Sequence, residues 1–287
     1  MKLHFMKYRK LSYWISGALI LGSILSLWFR GLNYGIDFAG GISMEVVSTE
    51  SDYTVDKMRH DLAAFNPELQ SVDDNAILIR VGLPKGATDA QQNERVREIK
   101  DILGNRVEYT QVQIVGPKIG GELVRGGILA VLVSFILMAV YIWIRYRGGY
   151  AVGSFVSLVF DFVLMFGFFS VTGLEFNQTA IAVVLMGVGY SINDKVVNYD
   201  RIDENIKKYH KMPMDELIDL SVNEMLSRTM MTSITTMLAL VGLYVFGGLA
   251  LQEFALAMGF SIVMGTLTSM YISNVILYHF NLRETKY

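Results

Sequence analysis

The chain has 287 residues, 52% of them hydrophobic, a formal charge of −2 and a mean hydropathy of +0.38, which sets it apart from ordinary soluble domains. Cysteine is absent, which excludes thiol chemistry, disulfides and cysteine metal sites. His4, His60, His210 and His279 lack metal-ligand spacing, no phosphate-binding glycine loop occurs, and no basic stripe suggests nucleic acid, so nothing points to a hydrolytic or redox enzyme or to a cofactor.

Lys2, Lys7, Arg9 and Lys10 precede an apolar run over residues 11–29. That run is long and ends WFRGLNYG without a small-x-small cleavage site, so residues 1–30 read as an amino terminus and a retained first transmembrane helix. Residues 31–122 are mostly polar and contain no further span. GIDFAGG at 35–41 is a turn-rich entry, and 42–48 alternates as a strand. Residues 55–65 have helical period through Val55, Met58, Leu62 and Phe65, and 69–72 and 76–81 flank Asp73-Asp74-Asn75 as a hairpin. A second amphipathic helix over 89–103 and a strand over 107–115 complete the order βαββαβ, the ferredoxin-like unit. The segment is therefore expected to be a small α+β domain between the first and second membrane helices.

Residues 123–287 hold five more spans, at about 123–144, 150–171, 178–198, 229–246 and 254–278. Pro67, Pro84, Pro117 and Pro213 all fall outside them, so unkinked helices are expected. The loop 145–149 carries two arginines, and 201–228 carries Arg201, Lys207, Lys208, Lys211 and Arg228, whereas 172–177 and 247–253 carry no Lys or Arg. The positive-inside rule then puts both termini in the cytoplasm and the 31–122 domain on the far side of the membrane. Residues 214–227 place Leu217, Leu220 and Leu226 among acidic residues after Pro213, an amphipathic helix expected along the cytoplasmic membrane face. In the sixth span Ala257, Ser261, Gly265, Ser269 and Ser273 recur at i+4, a close-packing face.

The third of these five spans ends in the stretch that carries chemistry. Asn193, Asp194 and Lys195 lie inside an apolar run, and a charge near the bilayer centre costs at least ~2.5–3.5 kcal/mol, which marks Asp194 as a functional residue. Gly187, Tyr190, Asp194, Asn198 and Arg201 share one helix face that must turn away from lipid. Arg228 begins the next span at the same membrane end, which predicts a depth match with Asp194, and Thr232, Thr235 and Thr236 continue its stripe. A guanidinium nearby favours the ionised acid and burial the neutral one, so Asp194 and Arg228 are the candidate proton relay. Tyr190, Asn193, Lys195, Thr232 and Asp161 are candidate supporting residues. Lys195 points about 100° from Asp194 around the helix and is expected to snorkel to the cytoplasmic interface. Asp161, halfway along the 150–171 span, has no charged neighbour in its own helix core.

GLNYGIDFAGG, GLEFNQT leading into GVGYSIND, DRIDENI, and LSRTMMTSITT with FGG after it closely resemble the SecF family of the resistance–nodulation–division superfamily, over nearly the whole chain. The resemblance implies six transmembrane helices, an exported domain after the first, and location in the cytoplasmic (inner) membrane. It implies a SecD partner and the use of the proton-motive force to help pull preproteins from the SecYEG channel. The family's SIND carboxylate falls on Asp194 and its SRT arginine on Arg228, both linked there to proton conduction. Two positions depart from the pattern: Lys195 stands where Thr is common, and Phe160 precedes Asp161 where His is frequent. Half of a proton-coupled small-molecule efflux transporter of the same superfamily is the alternative function. A membrane scaffold with purely structural charges is the third.

Overall fold

The computed structural model describes residues 4–50, 53–71, 76–83, 88–146, 148–280 and 282. They form two compact units, one of residues 34–130 with 176–178 and one of the remaining helical segments.

In the first unit, α2 (Ile36–Ala39) leads into β1 (Gly41–Ser48), followed by α3 (Val55–Asp61), β2 (Glu68–Ser71), β3 (Ala76–Gly82), α4 (Asp89–Leu103) and β4 (Val107–Val115). The turn-rich entry is thus a single helical turn closed by Gly40 at φ +74°, a conformation that favours glycine. A Cβ on Gly41 would stand 2.9 Å from the Val81 carbonyl oxygen, so the second glycine of the pair lets β1 approach β3. The sheet order is β2-β3-β1-β4 with every pair antiparallel, the ferredoxin-like arrangement. Alternation puts Ile42, Met44 and Val46 of β1 and Ile77, Ile79 and Val81 of β3 on one buried face. Met58 of α3, Leu62 just after it, and Val96, Ile99 and Leu103 of α4 pack against that face. Thr88 caps α4 by a reciprocal box, its hydroxyl accepting from the Gln91 amide while the Gln91 side chain accepts from the Thr88 amide at 3.0 Å. The expected hairpin turn, Asp73-Asp74-Asn75, lies outside the described residues, as do Pro84 and Arg147.

At this unit's edge the Tyr53 hydroxyl donates to Asp61 Oδ2 at 2.9 Å, Arg106 Nη1 reaches the same oxygen at 3.0 Å, and the guanidinium lies 4.4 Å over the Tyr53 ring. The Tyr53 bond and the Arg106 charge hold the Asp61 carboxyl below its ordinary value, and burial pushes the Tyr53 hydroxyl up to about 12.

The helical unit is built on α1 (Arg9–Phe29), α5 (Pro117–Arg145) from residue 131 on, α6 (Gly149–Thr172), α7 (Gln178–Lys208), α8 (Met214–Phe246), α9 (Gly248–Leu267) and α10 (Ser273–Tyr278). Among the described residues, six stretches are long and apolar enough to cross a membrane: Met6–Phe29, Ile119–Arg145, Gly149–Thr172, Gln178–Lys208, Met214–Phe246 and Leu251–Tyr278. Helices suit this solvent because all their backbone bonds are internal. α6, α7 and the α9–α10 span form the buried interior, while α1, α5 and α8 expose long apolar faces. Close approach comes from small residues, as the periodicity predicts. The Ser23 side chain of α1 occupies the space a Cβ on Gly167 of α6 would need, and Ser26 and Ser170 hydroxyls bond at 2.8 Å. The stripe Ala257, Ser261, Gly265, Ser269 and Ser273 is buried throughout.

Two expectations about helix shape are corrected. The sixth span is interrupted by a π-helical turn at Thr268–Ile272, although it contains no proline. Residues 214–227 are helical as expected but form no separate element along the membrane face, because α8 runs unbroken from Met214 to Phe246, and α7 runs on to Lys208. At 31 and 33 residues these two helices are about 46 and 50 Å long, well beyond a ~30 Å hydrocarbon core. Their protruding ends are tied together by polar contacts. Arg201 Nε donates to Glu224 at 2.7 Å, and Asn205 Nδ2 donates to Glu224 at 2.8 Å and to Ser221 at 2.9 Å.

Candidate functional site

The site forms where α7 closely approaches the last span beside α6. Ser261 fills the space beside Gly187, and a Cβ on Gly265 would stand 2.9 Å from that of Ser191, so neither glycine has room for a side chain. This contact brings Ser191 and Lys195, one turn apart on α7, against Asp161 of α6. Lys195 Nζ donates to Asp161 Oδ2 at 2.5 Å and to Ser191 Oγ at 2.5 Å. Ser191 Oγ also donates to Asp161 Oδ2 at 2.8 Å, and Thr268 Oγ1 donates to Asp161 Oδ1 at 2.7 Å. The lysine is 1% exposed and Asp161 5%. Each charge thus neutralises the other in the buried interior, and the Ser191 and Thr268 hydroxyls take two more of the carboxylate's acceptor positions. Such added hydrogen bonds make a buried pair tolerable.

Lys195 therefore does not snorkel. Its phase on α7 aims it at the carboxylate of the neighbouring helix, and Asp161, alone in its own helix, finds its partner across the contact. Asp194 is also buried, but its Oδ2 accepts no hydrogen bond and, among the described residues, it forms no ion pair. Arg228 is exposed and makes no ion pair with it, so the predicted Asp194–Arg228 contact is not closed in this conformation. The physical reason is the phase of α8: both residues lie well inside their helices, yet Arg228 falls at an exposed position. Asn193 and Thr232 are exposed too, and the Thr232 hydroxyl bonds its own helix at the Thr229 carbonyl, 2.9 Å away. Tyr190 reaches Thr236, hydroxyl to hydroxyl, at 3.4 Å.

The π-helical turn adjoins this cluster. Thr268 opens the turn and holds Asp161, while Asn274 Nδ2 donates to the Ser269 and Met270 carbonyls at 3.2 and 2.7 Å. Asn198 Nδ2 of α7 donates in turn to Asn274 Oδ1 at 2.7 Å. A widened turn leaves carbonyls without their usual helical donors, and the Asn274 amide supplies them. Sequence reasoning missed Ser191, Thr268 and Asn274 as site residues. The available signal was the lysine: once it is placed inside the bundle, a carboxylate and hydroxyl acceptors must surround it. Among the described residues no group of three or more His, Asp or Glu side chains is placed to hold a metal.

Comparison with known proteins gives a consistent picture. The family described as protein export membrane protein SecD/SecF, C-terminal, matches residues 95–283, and the SecD/SecF GG motif matches residues 25–50. The protein translocase subunit SecF of Rickettsia bellii is 41% identical over 283 residues, covering 95% of this chain and 91% of the relative. That of Rickettsia felis is 40% identical over 288 residues, covering 98% and 92%. Among solved structures, SecDF of Thermus thermophilus, a translocon-associated membrane protein, matches with a TM-score of 0.83 and 32% identity over 96% of this chain. SecDF in its super-membrane-facing form matches with a TM-score of 0.69 and 31% identity over 97%. This chain spans 38% of the length of either SecDF chain.

Proposed function

The chain belongs to the SecF family, and from that premise we propose that it works with SecD as a motor that uses the proton gradient to promote preprotein movement through SecYEG. It is an accessory subunit of the Sec protein translocase, a multi-pass membrane protein of the SecD/SecF type. Its place in this reading is the cytoplasmic membrane, with both termini in the cytoplasm and the ferredoxin-like domain outside.

One observation carries the proton-driven part of the reading. Asp194 is buried in a long apolar helix, yet one of its oxygens accepts no hydrogen bond from the described residues. A carboxylate in that condition takes up a proton without breaking an ion pair, unlike Asp161, which is paired with Lys195. Moving one charge through the membrane field is worth ~2.3 kcal/mol per 100 mV, enough to bias two conformations separated by a few kcal/mol. Arg228, exposed on this half, stands ready to meet Asp194 or a partner's acid as the halves move.

The test is gradient-dependent preprotein transport in vesicles holding this chain, SecD and SecYEG. Asp194→Asn keeps shape but cannot change charge, so it should abolish stimulation by a proton gradient while leaving complex assembly intact. Full stimulation in that variant would overturn the relay.

A further inference from the structure

A line of polar groups without hydrogen-bond partners among the described residues continues from the Asp161–Lys195 pair toward the loop between α5 and α6. On α6, Ser157 lies one turn before Asp161, fully buried, and its hydroxyl has no hydrogen-bond partner. Opposite, on α7, Asn198 follows Lys195 by one turn and its Oδ1 accepts nothing. Next comes Tyr199, 0% exposed; its hydroxyl is flanked by Ser154 and Ser273 and closes a hydrogen bond of ordinary geometry with neither. A Cβ on Gly153 would stand 3.0 Å from that hydroxyl oxygen, so the glycine keeps the space beside it open. Tyr150, whose ring centroid is 5.4 Å from that of Tyr199, also has a buried hydroxyl without a partner. The line ends at Tyr146, whose hydroxyl donates to Asp200 Oδ1 at 3.1 Å, and Asp200 pairs with Arg145 where both are nearly half exposed.

Buried polar groups are nearly always satisfied, and where no protein atom satisfies them ordered water does. Four such oxygens from two facing helices, spread over about 16 Å of helix between a buried ion pair and solvent, are more than isolated defects. Tyr150, Ser154, Ser157 and Asp161 fall at steps of four, three and four on α6, one continuous face.

We propose that water fills this lane and that Asp161 is a second proton-accepting group, exchanging with the aqueous phase at the Arg145–Asp200 end. The inference rests on the proton-driven reading given above. In the orientation given above the Arg145–Asp200 end faces the cytoplasm, so the lane is the low-proton side of the cycle. Asp161 carries its proton on Oδ1, where Thr268 alone of the described residues donates, as a carboxylic acid while Lys195 keeps its own proton and loses its counter-charge. The acid then gives its proton up along water and hydroxyls to bulk, and the ion pair re-forms. Among the described residues, the charged groups near the pair are Asp194 on the same helix as Lys195 and, at the lane's mouth, Arg145, Asp200 and Asp203. The last span offers only hydroxyls and the Asn274 amide to it. Release of Lys195 from Asp161 leaves a cation one residue from Asp194, which links the two acids.

The experiment uses the full chain assembled with SecD in proteoliposomes. The chain has no cysteine, so Ser157→Cys introduces a single thiol of serine's shape. It should react with a small water-soluble cationic thiol reagent, whereas Ser170→Cys, buried against Ser26 and off the lane, should not. Gradient-driven proton uptake should slow roughly ten-fold in Tyr199→Phe, which keeps the ring and deletes the relay oxygen. It should fall to background in Asp161→Asn combined with Lys195→Gln, a neutral pair that leaves no buried charge unpaired. An unreactive thiol in the Ser157→Cys variant, or parent-level uptake in the double variant, overturns this inference and leaves Asp194 as the relay. No gradient-driven uptake in the parent assembly overturns the proton-driven reading and this one with it.

Discussion

At the residue scale, the outcome turns on Lys195. Its presence inside a span is plain in the sequence, but its destination depends on the rotational phase of α6, which no single-chain pattern supplies. Burial at 1% exposure with Asp161 2.5 Å away makes it the centre of the polar interior. Lys195→Met alone should therefore destabilise the chain by about 3–5 kcal/mol, since it strands a buried carboxylate. Adding Asp161→Asn should recover most of that loss, so denaturation in mild detergent should give strongly non-additive effects. Additive losses would mean the two side chains do not depend on one another. Asp61 allows a second test, outside the membrane. Its folded value is held below the ordinary 3.8, chiefly by the Tyr53 bond and then by Arg106. Its stabilisation is therefore complete above that pH and is lost as pH falls through the lower folded value. Hydrogen exchange across α3 should show protection in the parent that fades only in that acid range. In Asp61→Asn protection should be lower and flat with pH.

At the element scale, the period of the apolar residues was enough to locate nearly every helix and strand. Residues 89–103 and 107–115 match α4 and β4 to the residue, because a Thr-capped start and a glycine stop bracket the helix. The interruption of the last span was not legible. A π-helical turn has no proline signal, and it is stabilised by Asn274, which lies after the turn it supports. Asn274→Leu removes donors to the Ser269 and Met270 carbonyls and the link to Asn198, so it should lower stability by about 1–3 kcal/mol. Thermal unfolding in detergent measures this, and an unchanged midpoint would show that the turn holds without the amide. The small-residue stripe was legible because lipid-phase packing depends on backbone approach. Gly187→Ala should cost about 1–3 kcal/mol through its clash with Ser261, and Ser261→Gly should restore the parent midpoint.

At the scale of the whole molecule, charge asymmetry in the loops carries more than any single helix does. The family and the six-helix architecture were legible because the motifs and the hydropathy both extend over the full chain. The closed or open state of the Asp194–Arg228 contact was not, because it depends on how this half meets another. The faces of α1, α5 and α8 remain apolar and uncovered, which suits lipid or a second half of similar size. Orientation is the premise on which the depth of Asp194, the mouth of the polar lane and the side of the ferredoxin-like domain all rest. Arg201, Lys207, Lys208 and Lys211 gather where α7 and α8 meet, and residues 172–177 at the opposite membrane end carry no basic residue. A reporter active only outside the cytoplasm should therefore be active when fused after Ser71 and silent after Lys211, and a cytoplasm-specific reporter should give the reverse. Activity on the wrong side at Ser71 alone would mean that α1 does not cross. Reversal at both sites would place the Arg145–Asp200 mouth outside, so that the lane would admit protons to Asp161 from the side of higher proton concentration.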